Sequence, residues 1–124
     1  MKVKGISWLG AKTVKFGEMA EFLENVLGLT AADTQPDFRV YRLPDGDTFE
    51  LFGPAAKDPP HQFARNHLVA GFLVDDTGQA RAALLRAGVE LLGPTERGLG
   101  GYAWQHFRAP DGNVYELAFD PTHE

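Results

Sequence analysis

The sequence of 124 residues contains no cysteine and no long uncharged hydrophobic run. Without thiols the chain can form no disulfide framework, thiolate zinc site, iron–sulfur cluster or cysteine nucleophile, so any metal would need histidine or carboxylate ligands. No stretch reaches the roughly 18 uncharged apolar residues of a membrane-spanning helix, and the first residues lack the pattern of a secretory signal. We therefore expect a cytoplasmic protein without a membrane partner.

Positive charge is scarce and scattered along the chain. There are 12 lysines and arginines against 17 aspartates and glutamates, which gives a formal net charge of −5. A nucleic-acid-binding surface usually carries a basic cluster, so we expect no nucleic acid partner. The hydrophobic fraction of 44% and the charged fraction of 23% are typical of a globular chain, and the length suits one domain.

The most informative feature that is present is an internal repeat. Residues 42–51 align with residues 108–117 at a constant offset of 66, and six of the ten positions are identical. Both segments contain Pro-Asp-Gly, which is typical of a turn between two strands, followed by an aromatic residue, Glu and Leu. Leu-Gly-Leu at 27–29 is similarly matched by Ala-Gly-Val at 87–89. The repeat predicts two related modules.

Hydrophobic periodicity predicts the same order of elements in both modules: a strand, a helix that ends before a glycine, and three strands. The predicted elements are strand 3–14, helix 16–27 and strands 29–33, 38–42 and 48–52, then strand 67–74, helix 77–87 and strands 89–92, 103–108 and 114–119. Module one is placed at 1–53, a linker rich in Pro, Ala and Gly at 54–66, and module two at 67–124, within a single domain. The glycine-rich residues 93–101 are predicted to form a mobile loop.

Alternation in the last strand of each module assigns the side chains to two faces. Leu117 and the apolar residues two positions before and after it should face the helix, which puts Glu116 on the opposite face. The same alternation puts Glu50 on that opposite face. Trp8 and Trp104 are predicted to share that face, which suits a lined cavity. The alternative is an ordinary solvent-exposed face, on which two glutamates would need no explanation.

These features resemble the vicinal oxygen chelate superfamily, which contains glyoxalase I, bleomycin-resistance proteins and extradiol dioxygenases. The resemblance rests on the doubled βαβββ pattern, on Val-Leu-Gly-Leu at 26–29, Val-Asp-Asp at 74–76 and Ala-Gly-Val at 87–89, and above all on Ala-Pro-Asp-Gly-Asn-Val-Tyr-Glu-Leu at 109–117. It implies an α+β fold in which two tandem βαβββ modules form a cupped mixed sheet around a ligand cavity. It also implies a homodimer.

Enzymes of this superfamily hold a divalent metal with a histidine from the first strand of a module and a glutamate from the last strand. The glutamate positions match Glu50 and Glu116, whereas the histidine positions fall on Trp8 and Val69. A displaced ligand set would suit Zn, Mn, Fe or Ni and would consist of His67, His106 and Glu116.

Each histidine also has an ordinary interpretation. His67 could be a solvated residue at the start of a strand. His106 could be a neutral imidazole that hydrogen-bonds Glu50, Glu116 or the backbone and still lines the cup. His61, in the predicted linker, and His123 are expected to take no part in the site.

Three hypotheses about function remain open at this point. The first is a protein that binds a small molecule in the cup of its sheet without the usual metal, as in the bleomycin-resistance branch, with ligand contacts from Trp8, Trp104, His106 and Val69. The second is a metal-dependent lyase, isomerase or dioxygenase in which Glu50 or Glu116 acts as ligand or base. The third is a dimer with only an interaction or regulatory role.

Overall fold

The computed structural model describes residues 1–57, 63 and 66–123, and their elements follow the predicted order twice. The first module consists of β1 (Val3–Lys12), α1 (Phe16–Glu21) with a π-helical turn (Phe22–Val26), β2 (Ala31–Gln35), β3 (Phe38–Arg42) and β4 (Thr48–Phe52). The second consists of β5 (Leu68–Val74), α2 (Thr77–Arg86), β6 (Glu90–Arg97), a 3-10 turn (Leu99–Gly101), β7 (Ala103–Arg108) and β8 (Val114–Phe119). Most of the predicted linker, together with His61, lies outside the described residues.

All eight strands belong to one mixed sheet with the order β2-β3-β4-β1-β5-β8-β7-β6. Within each module the first strand runs parallel to the last, since β1 pairs with β4 and β5 pairs with β8. The modules join where β1 pairs with β5 in antiparallel fashion. The predicted α+β fold with a mixed sheet is confirmed. The sheet stays open, and β2 and β6 form its edges within the described ranges.

One face of the sheet is covered by the helices, because each helix presents small and branched apolar side chains to it. Ala20 and Leu23 pack against Tyr41 and Leu51 in the first module. In the second module the corresponding buried cluster is Val74, Ala80, Leu84, Phe107 and Leu117. These two clusters lie on the helix side of the sheet. The side chains at the alternate strand positions, several of them polar or aromatic, therefore point to the other face. No helix in the described part of the chain is long and apolar enough to cross a bilayer.

The prediction of a mobile loop over 93–101 is wrong for its first half. β6 extends to Arg97, with a register shift between Leu92 and Glu96. The buried Gln105 side chain holds this irregular strand, because its Nε2 donates to the Gly93 carbonyl at 2.9 Å and its Oε1 accepts from Thr95 Oγ1 at 3.1 Å. Glycine and proline in this segment therefore mark a bulged strand rather than a free loop.

The segment after β8 returns to the first module. The Asp120 carboxylate lies 3.7 Å from Arg42 Nη1, and His123 Nε2 lies 2.7 Å from Asp47 Oδ1 in the turn between β3 and β4. His123 therefore connects the two modules and lies outside the cavity described below, which agrees with its expected absence from the site.

Candidate functional site

The face of the sheet opposite the helices carries a cavity of about 670 Å³. This volume falls within the range of about 300–1,000 Å³ that is typical of small-molecule sites. The walls come from both modules and consist of Trp8, Gln35, Pro36, Phe38, Val40, Arg42, Thr48, Glu50, Phe52, Ala55, Ala56, Lys57, Tyr102, Trp104 and Glu116. Apolar and aromatic side chains form much of the wall, and a few charged groups interrupt it.

Strand alternation explains which side chains reach the cavity. In β4, Glu50 lines the cavity while the adjacent Leu51 is buried on the helix side. In β8, Glu116 lines it while Leu117 packs towards α2. The structure thus places Glu50 and Glu116 on one face with Trp8 and Trp104, as the sequence parity predicts.

Trp8 forms a fixed wall of the cavity. Its side chain is only 6% exposed and packs in a cluster with Phe52 and Val69. The indole extends along the strand over Gly10, where an added Cβ would lie 2.2 Å from Trp8 Cη2. The indole N–H also donates a hydrogen bond to the Glu50 carboxylate. Gly10 therefore makes room for the ring, and Glu50 fixes its orientation.

Glu116 lies at the most enclosed part of the wall, with only 3% of its surface exposed. A Cβ added at Gly71 would lie 3.0 Å from Glu116 Cγ and 3.1 Å from Trp8 Cβ, so the strand beneath the carboxyl group approaches closely. His106 Nε2 lies 3.5 Å from Glu116 Oε2. Burial, and then the negative charge of Glu50, raise the pKa of Glu116 well above its ordinary value. Glu116 is therefore held towards its protonated form.

Glu50 lies in a different environment, although it occupies the equivalent position of the first module. Burial raises its pKa as well, but the Trp8 hydrogen bond and the charge of Arg42 oppose that rise. The anionic form of Glu50 therefore has stabilising partners. Two carboxyl groups that are equivalent in the repeat thus differ in how well they can carry charge.

Tyr102 and Arg42 line the cavity although sequence reasoning did not single them out. Tyr102 lies beside Trp104, with ring centroids 5.8 Å apart. Burial raises the pKa of Tyr102, and the negative charge of Glu50 raises it further, so its phenol stays neutral. The signal that could have found both residues is parity, because Arg42 shares a strand face with Val40, and Tyr102 is two residues before Trp104.

Two predicted ligand contacts lie behind the lining rather than in it. Val69 is fully buried against Trp8, and His106 is 2% exposed beside Glu116. Neither belongs to the cavity wall, so any effect that they have on a ligand passes through Trp8 or Glu116.

The structure does not assemble the predicted metal set of His67, His106 and Glu116. His67 is exposed just before β5, outside the cavity wall, and its carbonyl accepts from the Lys12 N–H at 2.9 Å. Across residues 1–57, 63 and 66–123, no group of three or more histidine, aspartate or glutamate side chains is placed to hold a metal ion. The donor set present here therefore does not fit the divalent metal that the resemblance implies.

The strand register agrees with the counting of the family's histidine positions. Gly10 pairs with Glu50, and Gly71 pairs with Glu116, so the two glycines occupy equivalent places. Trp8 and Val69 each precede their glycine by two residues. An indole and an isopropyl group thus occupy the positions at which the resemblance implies imidazole ligands.

Comparisons with known proteins agree with this architecture. The solved structure of a methylmalonyl-CoA epimerase in complex with methylmalonyl-CoA and NH4+ is 20% identical, covers 99% of both chains and gives a TM-score of 0.72. Methylmalonyl-CoA epimerase from Mycobacterium tuberculosis is 16% identical over 94% of this chain and 88% of its own, with a TM-score of 0.71. A superfamily member from Vibrio splendidus 12B01 is 16% identical over 96% and 100% of the two chains, with a TM-score of 0.67. At such identities the similarity shows the fold alone.

No curated protein matches the chain. The family described as Glyoxalase/Bleomycin resistance protein/Dioxygenase superfamily matches residues 5–117, which is most of the sequence. The chain therefore belongs to the glyoxalase/bleomycin resistance protein/dioxygenase superfamily.

Proposed function

We propose that the protein binds a small aromatic molecule in the cavity between Trp8 and Trp104, without the divalent metal used by enzymes of its superfamily. The observation that carries the proposal is the position of Trp8. Its indole occupies a metal-histidine position and is fixed there by Phe52, Val69 and the hydrogen bond to Glu50. A relative with the same fold is described as a complex with methylmalonyl-CoA, which supports the use of this fold for a small-molecule ligand.

The chemistry of the wall favours a flat ligand. Tryptophan, tyrosine and phenylalanine rings give large apolar contact areas and prefer offset or edge-to-face contacts with another ring. Trp104 and Tyr102 form one such surface, and Trp8 with Phe52 forms another. Glu50, Glu116 and the Tyr102 phenol supply the few polar groups that orient a ligand in a mostly apolar site.

Trp104→Ala is expected to weaken binding of an aromatic probe at least about tenfold. It removes a ring whose contact with the probe contributes more than about 1 kcal/mol to the free energy of binding. Isothermal titration calorimetry with 1-indanone would measure the change. Phe22→Ala is a matched control, since Phe22 is a partly exposed ring on the π-helical turn, outside the cavity wall. Equal affinities of the wild type and the Trp104 variant would contradict the proposal.

Metal analysis tests the metal-dependent lyase, isomerase or dioxygenase alternative directly. The purified protein, loaded in turn with Zn, Mn, Fe and Ni and then desalted, is expected to retain far less than one equivalent by elemental mass spectrometry. Near-stoichiometric metal that is lost in both Glu116→Gln and His106→Ala would favour the alternative and overturn the metal-free proposal. The homodimer and the cytoplasmic location expected from the sequence stay predictions.

A further inference from the structure

We propose that the inner end of the cavity selects a ligand with an uncharged acceptor oxygen, such as a ketone carbonyl, and that Glu116 donates a hydrogen bond to it as a neutral carboxylic acid. This inference rests on the proposed function, since it concerns the ligand of the same cavity. Two ionised glutamates on one face would instead favour a cationic ligand.

Glu116 is almost completely enclosed by the protein. The residue is 3% exposed, Gly71 brings the backbone of β5 close beneath it, and Trp8 borders it on the same side. An ionised carboxylate in such a place would lose its hydration and would need a charged partner to compensate.

Among the residues that the structure describes, the titratable groups near Glu116 supply no close cation. Glu50 from β4 adds negative charge, and Tyr102 lines the same cavity as a neutral phenol. His106 Nε2 from β7 lies 3.5 Å from Glu116 Oε2, which is longer than a charge-assisted hydrogen bond. The cationic Arg42 acts on Glu50 and Tyr102, and its guanidinium also pairs with Asp120. Its charge is therefore directed to the other carboxyl groups.

Donors and acceptors are unevenly shared among the polar groups of the wall. The carboxylate of Glu50 already accepts from the Trp8 N–H. Glu116 in its acid form and Tyr102 both line the cavity, and each carries one O–H donor. Two neutral donors suit a carbonyl oxygen, which accepts up to two hydrogen bonds, whereas an ammonium group offers only donors.

Three bicyclic probes of nearly equal size test this inference by calorimetry at pH 7: 1-indanone, indane and protonated 1-aminoindane. The wild type is expected to bind 1-indanone about tenfold more tightly than indane, and 1-aminoindane no more tightly than indane. Glu116→Leu is expected to remove the preference for the ketone. Glu116→Gln keeps a neutral N–H donor and is expected to stay within about threefold of the wild type, and Glu18→Leu on the exposed surface of α1 serves as the control.

A pH series separates a donor role from mere support of the fold. The preference of the wild type for 1-indanone over indane is expected to decrease as the pH rises and Glu116 loses its proton, whereas that of Glu116→Gln stays flat. Tighter binding of 1-aminoindane than of 1-indanone, lost in Glu116→Gln, would overturn the inference while leaving the proposed function intact. If none of the three probes binds, the proposed function is wrong and this inference with it.

Discussion

Gly10→Ala is expected to weaken binding of 1-indanone at least about tenfold and to lower the free energy of unfolding by about 1–3 kcal/mol, the usual cost of overpacking. The new Cβ would lie 2.2 Å from Trp8 Cη2 and 2.8 Å from Cζ2, well inside contact distance. The indole cannot simply swing away, because it is buried beside Phe52 and Val69 and hydrogen-bonded to Glu50. Gly10→Ala should therefore distort the wall that the ligand contacts.

Gly5→Ala gives a matched control for this prediction. It introduces the same methyl group in the same strand, but nothing lies within 4 Å of a Cβ at Gly5. Urea unfolding and calorimetry on both variants would show whether the effect belongs to the Trp8 contact. Wild-type affinity and stability in Gly10→Ala would mean that the Trp8 ring is free to move, which would contradict its buried position.

Glu116→Gln is expected to stabilise the protein at pH 8, by at least about 1 kcal/mol, and to leave its stability at pH 4 nearly unchanged. Burial and the charge of Glu50 raise the pKa of Glu116 in the folded state, whereas in the unfolded chain it titrates near its ordinary value of about 4.3. The folded protein therefore keeps a proton that the unfolded chain loses. Protonated Glu116 contributes fully to the free energy of unfolding below the pKa that it has in the unfolded chain. This contribution is lost as the pH rises towards the pKa that it has in the folded protein.

Glutamine cannot ionise, so the variant escapes this loss. Urea unfolding of both proteins between pH 4 and 8.5 should give curves that separate as the pH rises. Glu18→Gln removes the same charge from an exposed position on α1 and controls for the change in net charge. Parallel curves for the wild type and Glu116→Gln across this range would show that the folded state does not retain the proton.

Much of the fold follows from the repeat and from strand alternation. Six identities at a constant offset are enough to assign two modules of the same element order, and parity alone places Glu50 and Glu116 on one face. Strand alternation is a local signal, because successive side chains of a strand point to opposite faces of the sheet.

The loops and the ligand set could not be predicted in the same way, because they depend on contacts between distant residues. Gln105 holds the bulged β6 through Gly93 and Thr95, and nothing in the sequence near Gly93 indicates that partner. Tyr102 and Arg42 reach the cavity from separate modules. Counting along strands groups His67 with Glu116, but His67 lies outside the strand and outside the wall.

The repeat does not indicate that its two glutamates have different surroundings. Their sequence contexts are nearly the same, but Trp8 donates to Glu50 whereas Glu116 meets His106 at 3.5 Å. Only the packing of the two modules separates the proton affinities of these carboxyl groups. Sequence reasoning could predict a pair of carboxyl groups but not the difference between their pKa values.

The antiparallel pairing of β1 with β5 joins strands that are far apart in the chain. β3 and β4 are neighbours along the chain, whereas Val3 in β1 finds its partner in Val74. Pairings between distant residues close slowly, so we expect the hairpins to form before the two halves meet. Trp8 and Glu116 lie in different modules, so the pocket that they share exists only once the two modules have met. A ligand of this pocket therefore binds only the folded protein, and tighter binding raises the free energy of unfolding at a given ligand concentration.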